Sequence, residues 1–326
     1  MNSTLPCPCC SGHLYAQCCK SLHDGSLPKD ALQLMRSRYS AYVLNLPDYI
    51  VATTHPASPQ YSENKFSWKR SISQFSKTSS FQKLEILNFK ESGTLATVTF
   101  IAHLSQDGSD ASFTEHSYFE KIKDKWFYRI GRLVQGHAPN LVTVGQLRML
   151  PLAYYGDPIL RQKASTIDTI TEEIKKLVEE MIETMDACDG IGLAAPQIHH
   201  AIRLFIIRVP DQRASNELAL GKIKVLINPK ISLPSEETWK ADEGCLSIPT
   251  IHASVERPKA ITVEYTDMEG NPMKERVFGW EARVILHEND HIDGILFVDR
   301  LDEQLRLNLK KDLQNLEKRL KSHRNL

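Results

Sequence analysis

The stretch Arg283-Val284-Ile285-Leu286-His287-Glu288-Asn289-Asp290-His291 closes an apolar run on a His-Glu-x-x-His pattern. Residues four apart on a helix share a face about one turn apart, so the imidazoles of His287 and His291 converge on one metal ion. Glu288 then stands beside the ion without binding it, able to take a proton from water and pass it to a leaving group. Two histidines alone leave the ligand set incomplete, and a solvated helix can carry such a pair with no metal.

The decisive residues lie upstream. Cys245, in Asp242-Glu243-Gly244-Cys245-Leu246-Ser247-Ile248-Pro249, supplies the missing third ligand. One thiolate and two imidazoles leave a fourth position for water, which is the arrangement of a catalytic site. Further upstream runs Gly190-Ile191-Gly192-Leu193-Ala194-Ala195-Pro196-Gln197. Its small residues let a backbone approach a ligand closely, and the Gln197 amide can donate to a developing oxyanion. Around these motifs, Leu204–Val209, Lys224–Asn228 and Ile261–Tyr265 read as strands rich in Ile and Val. Ile174, Leu177, Val178, Met181, Ile182 and Met185 sit at helical spacing behind a polar start at Thr171. The methionines and Cys188 read as packing.

In this order the three motifs resemble those of peptide deformylases, and the resemblance spans about residues 148–305. It includes Gly156-Asp-Pro-Ile-Leu-Arg161, Ile227-Asn-Pro229, Val255-Glu-Arg-Pro258 and Gly294-Ile-Leu-Phe-Val-Asp-Arg-Leu301. It implies hydrolytic removal of the formyl group from formyl-methionine at the start of new polypeptides, at Fe(II) with zinc, nickel or cobalt able to replace it. By the same resemblance Cys245, His287 and His291 are the ligands and Glu288 the proton carrier, while Gln197 and the backbone N–H of Leu246 hold the oxyanion. Gly190, Ile191, Gly192, Glu243 and Gly244 are expected to line the peptide channel, pairing with an extended substrate by strand addition. Trp280, Arg283 and Val284 are expected at the border of the methionine pocket, with ordinary packing the other reading. Two positions depart from the family: Leu286 replaces a common Gln before His287, and Asn289 occupies a usually apolar place. Asp290 can orient a histidine or pair with Arg257, and the pair is the favoured reading.

Five of the seven cysteines crowd into Cys7-Pro-Cys9-Cys10-Ser-Gly-His-Leu-Tyr-Ala-Gln-Cys18-Cys19. Cys7, Cys9, Cys18 and Cys19 make a closed four-sulfur set suited to a structural zinc. The spacing resembles the SEC-C motif, with Cys10 a spare thiol where that motif usually has Gly. From Ala31 to Val51 the apolar spacing predicts a helix ended by Pro47, and Phe81–Phe89, Leu95–Leu104, Phe113–Lys121 and Lys125–Val134 alternate as strands. Leu34-Met-Arg-Ser-Arg-Tyr-Ser-Ala-Tyr-Val43 followed by Ala52-Thr-Thr-His-Pro56 resembles the NTF2-like domain of YchJ-type proteins. In that motif His55 reads as a capping or packing residue.

The fold class expected is α+β throughout. A SEC-C motif at 1–24 and an NTF2-like domain at 25–140 form a zinc-stapled first half. Residues 148–326 follow as a deformylase domain whose metal helix packs among antiparallel strands, with His137–Gly145 as linker. At 326 residues, 41% of them hydrophobic, the chain has material for two cores. Its zero net charge gives no ground for nucleic-acid binding overall. Met1–Pro6 carries neither a basic leader nor an apolar core, and no segment approaches the roughly 20 apolar residues of a membrane span. A cytoplasmic protein is expected. After Asp302 a basic amphipathic helix places Leu305, Leu309, Leu313, Leu316 and Leu320 on one face. It reads either as a tail docking on ribosomal RNA or as a packed helix with a solvated basic side, and the N-terminal half is a second candidate docking arm. Two other function classes compete with the hydrolase: a general His-Glu-x-x-His metallopeptidase, and an inactive deformylase-like adaptor.

Overall fold

The computed structural model describes residues 5–138, 149–209 and 221–324, with side chains described to 321. The chain divides into two compact units, Met1–Leu147 with Ser322–Leu326 and Arg148–Lys321. Beyond Ala138, the expected linker lies outside the described residues.

The first unit opens on the cysteine-rich turn, pinned by a bridge between Pro6 and Leu14, and continues into α1 (Cys19–His23). Asp30 caps α2 (Ala31–Val43), its carboxylate accepting the Gln33 N–H at 2.7 Å, an arrangement worth about 1 kcal/mol. The helix ends earlier than the apolar spacing predicts: Asn45 turns left-handed at φ +53°, and Pro47 begins α3 (Pro47–Ala52). The ring is tolerated there because the first helical N–H has no partner in any case. A helix absent from the sequence reading, α4 (Lys65–Thr78), starts at Asn64, whose side chain accepts the Ser67 N–H.

The sheet follows as β1 (Ser79–Ser92), β2 (Leu95–Gln106), β3 (Ser109–Asp110), β4 (Phe113–Ile122) and β5 (Lys125–Gln135). Its order is β1-β2-β4-β5, antiparallel throughout, with β3 paired to β2. Strand β2 is central and buried from Leu95 to Ala102, so that even Thr97 and Thr99 of its alternating sequence are buried. Leu34, Met35 and Tyr39 of α2 share a core with Leu84, Val98, Phe100, Phe119 and Trp126. His55 is buried at 2% exposure: its backbone N–H donates to Tyr128 O, its Nδ1 accepts the Ala57 N–H, and its Nε2 faces Glu120. That is a packing role.

In the second unit, Thr171 caps α5 (Glu172–Ala187), which buries Leu177, Val178, Met181 and Met185. Then come β6 (Gly192–Ala194), β7 (Leu204–Ile207), β8 (Lys224–Ser232), β9 (Thr238–Cys245), β10 (Ile248–Pro258), β11 (Ala260–Thr266) and β12 (Pro272–Phe278). One antiparallel sheet runs β12-β11-β8-β7-β6, and β9 with β10 forms a separate hairpin. Helix α6 (Gly279–Ile292) contributes Ala282, Val284, Ile285 and Ile292 to the core formed with Phe205, Leu226, Ile261 and Val263. Helix α7 (Glu303–Arg324) closes the described chain, burying Leu313, Leu316 and Leu320 while Leu305 and Leu309 stay half-buried. No described helix is long and apolar enough to cross a membrane.

Candidate active site and metal centre

Helix α6 turns Ile285 and Ile292 into the core, and the same winding carries His287 and His291 onto one side with their ring centroids 5.2 Å apart. Cys245 reaches them from the end of β9. Its Sγ lies 3.2 Å from His291 Nε2, and one ligand atom from each of the three residues falls within 4.8 Å of the others. A tetrahedral ion with bonds of about 2.1–2.3 Å holds such atoms about 3.6 Å apart, so this set fits one metal.

The histidines differ in what lies behind them. His287 Nδ1 donates to Glu243 Oε2 at 2.9 Å; against the effect of burial, its hydrogen bonds with Cys245 and Glu243 hold the ring well above its ordinary value, so Nε2 must give up its proton to bind an ion. His291 Nδ1 is buried and has no hydrogen-bond partner. Burial pushes the His291 ring well below its ordinary value, so it is neutral, as a ligand must be.

Glu243 is the centre of a buried charge cluster. Arg257 grips it twice, Nε to Oε1 at 2.7 Å and Nη2 to Oε2 at 2.9 Å, and Arg283 Nη1 adds a third contact at 2.7 Å. Burial opposes ionisation of this carboxyl, but the hydrogen bonds from Arg257 and His287 outweigh it and hold it at about 2. Arg257 also donates to Asp290 at 2.9 Å, and Asp290 receives Arg300 as well, so Asp290 belongs to this ion-pair network.

The Glu243 side chain is 6% exposed and committed to His287, Arg257 and Arg283, so it supports a metal ligand, and this residue offers a peptide channel its backbone edge alone. On α6, Arg283 and Val284 take the packing reading. Arg283, 1% exposed, donates to the carbonyls of Trp239 and Val255, holding the hairpin instead of edging a pocket. Val284 belongs to the core. Trp280 stays 40% exposed and meets Trp239 edge to face at 5.1 Å. Only long-range pairing reveals Glu243's role, although an acidic residue two before Cys245 was its signal in the sequence.

Glu288 is buried, its Oε2 has no partner, and burial raises its carboxyl to about 7 against the opposing pull of His287. An unpartnered acceptor with so raised a pKa is poised to take and return a proton near neutrality. Gly192 lies against it: a Cβ there would overlap Glu288 Oε1. Gln197 is 1% exposed. Its Oε1 accepts the Ala194 N–H at 2.7 Å, which directs Nε2 to Cys245 Sγ at 3.5 Å and Ser247 Oγ at 3.3 Å. Leu246 is the first turn residue after Cys245. Among the described residues, two strands border this region with one side paired: β6, carrying Gly192 after Gly190 and the 44%-exposed Ile191, ends its sheet, and β9, carrying Gly244, pairs with β10 alone. Leu286, in the place of the family's common Gln, is partly buried and packs on the core.

In the first unit, Cys7, Cys9, Cys18 and Cys19 bring their sulfurs within 4.8 Å of one another, with Cys9 to Cys18 at 3.5 Å and Cys18 to Cys19 at 3.8 Å. Zinc–sulfur bonds of about 2.3 Å put tetrahedral sulfurs about 3.8 Å apart, so the set fits a structural ion. Hydrogen bonds from Cys19 and Cys9 hold the Cys7 thiol well below its ordinary value, while sharing with Cys7 pushes Cys19 up. Cys10 is exposed at φ +56°, a backbone region that glycine enters without cost, and its Sγ accepts the Leu84 N–H at 3.3 Å.

The polypeptide deformylase family model matches residues 149–306, and that of the YchJ middle NTF2-like domain matches 30–131. A Synechocystis peptide deformylase is 44% identical over 165 residues, which cover 50% of this chain and 86% of the relative. The Thermotoga maritima peptide deformylase is 40% identical over 173 residues, 53% of this chain and 99% of its own length. Among solved structures, plant peptide deformylase PDF1B is 37% identical with a TM-score of 0.50, over 54% of this chain and 94% of the other.

Proposed function

This chain belongs to the peptide deformylase family, and on that footing we propose that it hydrolyses the N-formyl group of formyl-methionyl peptides at the centre formed by Cys245, His287 and His291. The observation that carries the reading is the convergence of those three ligand atoms beside a buried Glu288 with an unpartnered oxygen. A divalent ion held there supplies the Lewis acidity that makes water nucleophilic at neutral pH.

The chain's own residues do the rest. Glu288 Oε2 accepts the proton from water as the new C–O bond forms at the formyl carbon. Gln197 Nε2, aimed by Ala194, and the Leu246 N–H donate to the oxygen that becomes negative, each such donor being worth about 3 kcal/mol of barrier. The C–N bond then breaks, Glu288 returns the proton to the departing amine, and formate and a free N-terminus result. Strands β6 and β9 offer backbone edges to an extended peptide through Gly190, Ile191, Gly192, Glu243 and Gly244, and the exposed Trp280 borders the methionine pocket.

Fe(II) is the proposed ion, with zinc, nickel or cobalt able to occupy the same ligands, and zinc is proposed for the four cysteines. The cytoplasm is the proposed compartment, and the ribosome the proposed partner through α7 or the N-terminal unit. Co-sedimentation of the whole protein with ribosomes, weakening as salt rises, supports that partnership; no co-sedimentation at low salt removes it.

The reaction is tested with formyl-Met-Ala-Ser and protein prepared without oxygen, alongside Glu288→Ala. Turnover in the parent, lost in the variant with metal content unchanged, is the expected result. A parent with a filled site and no turnover would sink the proposal in favour of an adaptor, and cleavage of unformylated peptides would turn it toward a metallopeptidase.

A further inference from the structure

Between α2, α4 and the concave face of the first unit's sheet lies a cavity of about 610 Å³, within the range of small-molecule sites. Its floor is buried and aromatic, with Tyr39, Phe119 and Tyr128, and its mouth is marked by the exposed Ser71 and Leu133. Phe75, Phe81, Phe100 and Phe113 add ring surface to the walls. A space of this size lined by rings favours a flat, apolar guest.

The polar groups gather around one carboxylate. Glu115, on β4, faces the cavity and receives Ser117 Oγ–H and the Tyr128 hydroxyl, the latter at 3.1 Å, both on Oε1. Gln60 donates to the Tyr128 oxygen at 3.3 Å, which sets the direction of the phenol proton. The neighbouring strand makes room: a Cβ on Gly131 would overlap Glu115 Oε1 and come within 2.7 Å of the Tyr128 oxygen. Arg38 also lines the cavity, but its Nη1 is spent on Ile50 O, Thr53 and Thr54, and its guanidinium stacks 4.6 Å over Tyr128. Arg38 and Glu115 thus face one cavity without forming a salt bridge, and Oε2 is the oxygen left to a guest. With the Arg38 Nη1 and Glu115 Oε1 already engaged, a charged guest would be buried short of partners, which favours a neutral one.

We propose that this cavity is a second ligand site, for a neutral, ring-bearing small molecule whose hydroxyl group meets Glu115. A hydroxyl is the fitting head group because it donates to a carboxylate and accepts from a carboxylic acid. That matters here, since burial pushes the Glu115 carboxyl up from its ordinary value. The site is independent of the metal centre and of the deformylation reading.

Titration calorimetry on the full chain with 2-naphthol, naphthalene and 2-naphthoate tests it. The expected result is one 2-naphthol per chain, with naphthalene and 2-naphthoate each at least tenfold weaker. Glu115→Leu should bring 2-naphthol down to the affinity of naphthalene while naphthalene itself binds as before, which shows the cavity is still formed. Ser71→Trp, at the mouth, should weaken both guests with cooperative thermal unfolding retained. No 2-naphthol binding up to its solubility limit overturns the proposal, as does equal affinity for 2-naphthol and naphthalene, a preference that survives Glu115→Leu, or 2-naphthoate bound as tightly as 2-naphthol.

Discussion

At Gly192 the backbone passes so close to Glu288 that only a residue without a side chain leaves the carboxylate its place. Gly192→Ala is therefore expected to lower deformylation at least tenfold while metal content per chain stays at the parent level; unchanged kcat/KM would show that the carboxylate has room to shift. Glu243 makes a different prediction, about pH and stability. Its folded carboxyl is held at about 2 against an ordinary 4.5, so its contribution, about 3 kcal/mol, is fully present above pH about 4.5 and is lost as the pH falls toward 2. Urea midpoints of the parent should accordingly fall between pH 5 and 3 more steeply than those of Glu243→Gln. Parallel curves would remove Glu243 as the cause.

At the scale of elements, the β9–β10 hairpin is tied to α6 by charge as much as by apolar contact. Arg257 on β10 joins Glu243 on β9 to Asp290 on α6, all three nearly buried. Arg257→Met removes the cation shared by two buried carboxylates, leaving Glu243 to Arg283 and Asp290 to Arg300, and is expected to cost about 3 kcal/mol, measured by urea unfolding of the whole chain, whereas the exposed pair Lys259–Glu237 should cost under about 1 kcal/mol. Equal effects would mean that the buried network adds nothing beyond its surface counterpart. Helix ends carry smaller stakes: Thr171→Ala removes the side-chain cap of α5 and should cost about 1 kcal/mol.

For the whole molecule, each unit has its own core and its own candidate ligand set. The expected metal count is two per chain, and Cys9→Ser should lower it to one while deformylation stays within twofold of the parent. Loss of both metals together would tie the cysteine cluster to the catalytic centre. What the sequence determined by itself are the features whose partners lie within a few residues. The His287/His291 spacing of one helical turn, the Cys-Pro-Cys turn facing Cys18 and Cys19, the capping Thr171 and the alternating strands of the first unit are all read from local periods, because helix and strand geometry fix which neighbours share a face. The metal set needed one step more, and the order of the motifs around Cys245 provided it. The tertiary structure alone decided the rest: that Glu243 orients His287 from 44 positions away, that Arg283 is a brace of the hairpin, that Pro47 opens a helix instead of only ending one, and that Arg38 and Glu115 look into one cavity. These depend on which distant strands pair and which faces they bury, and no local period encodes a partner that lies dozens of residues away.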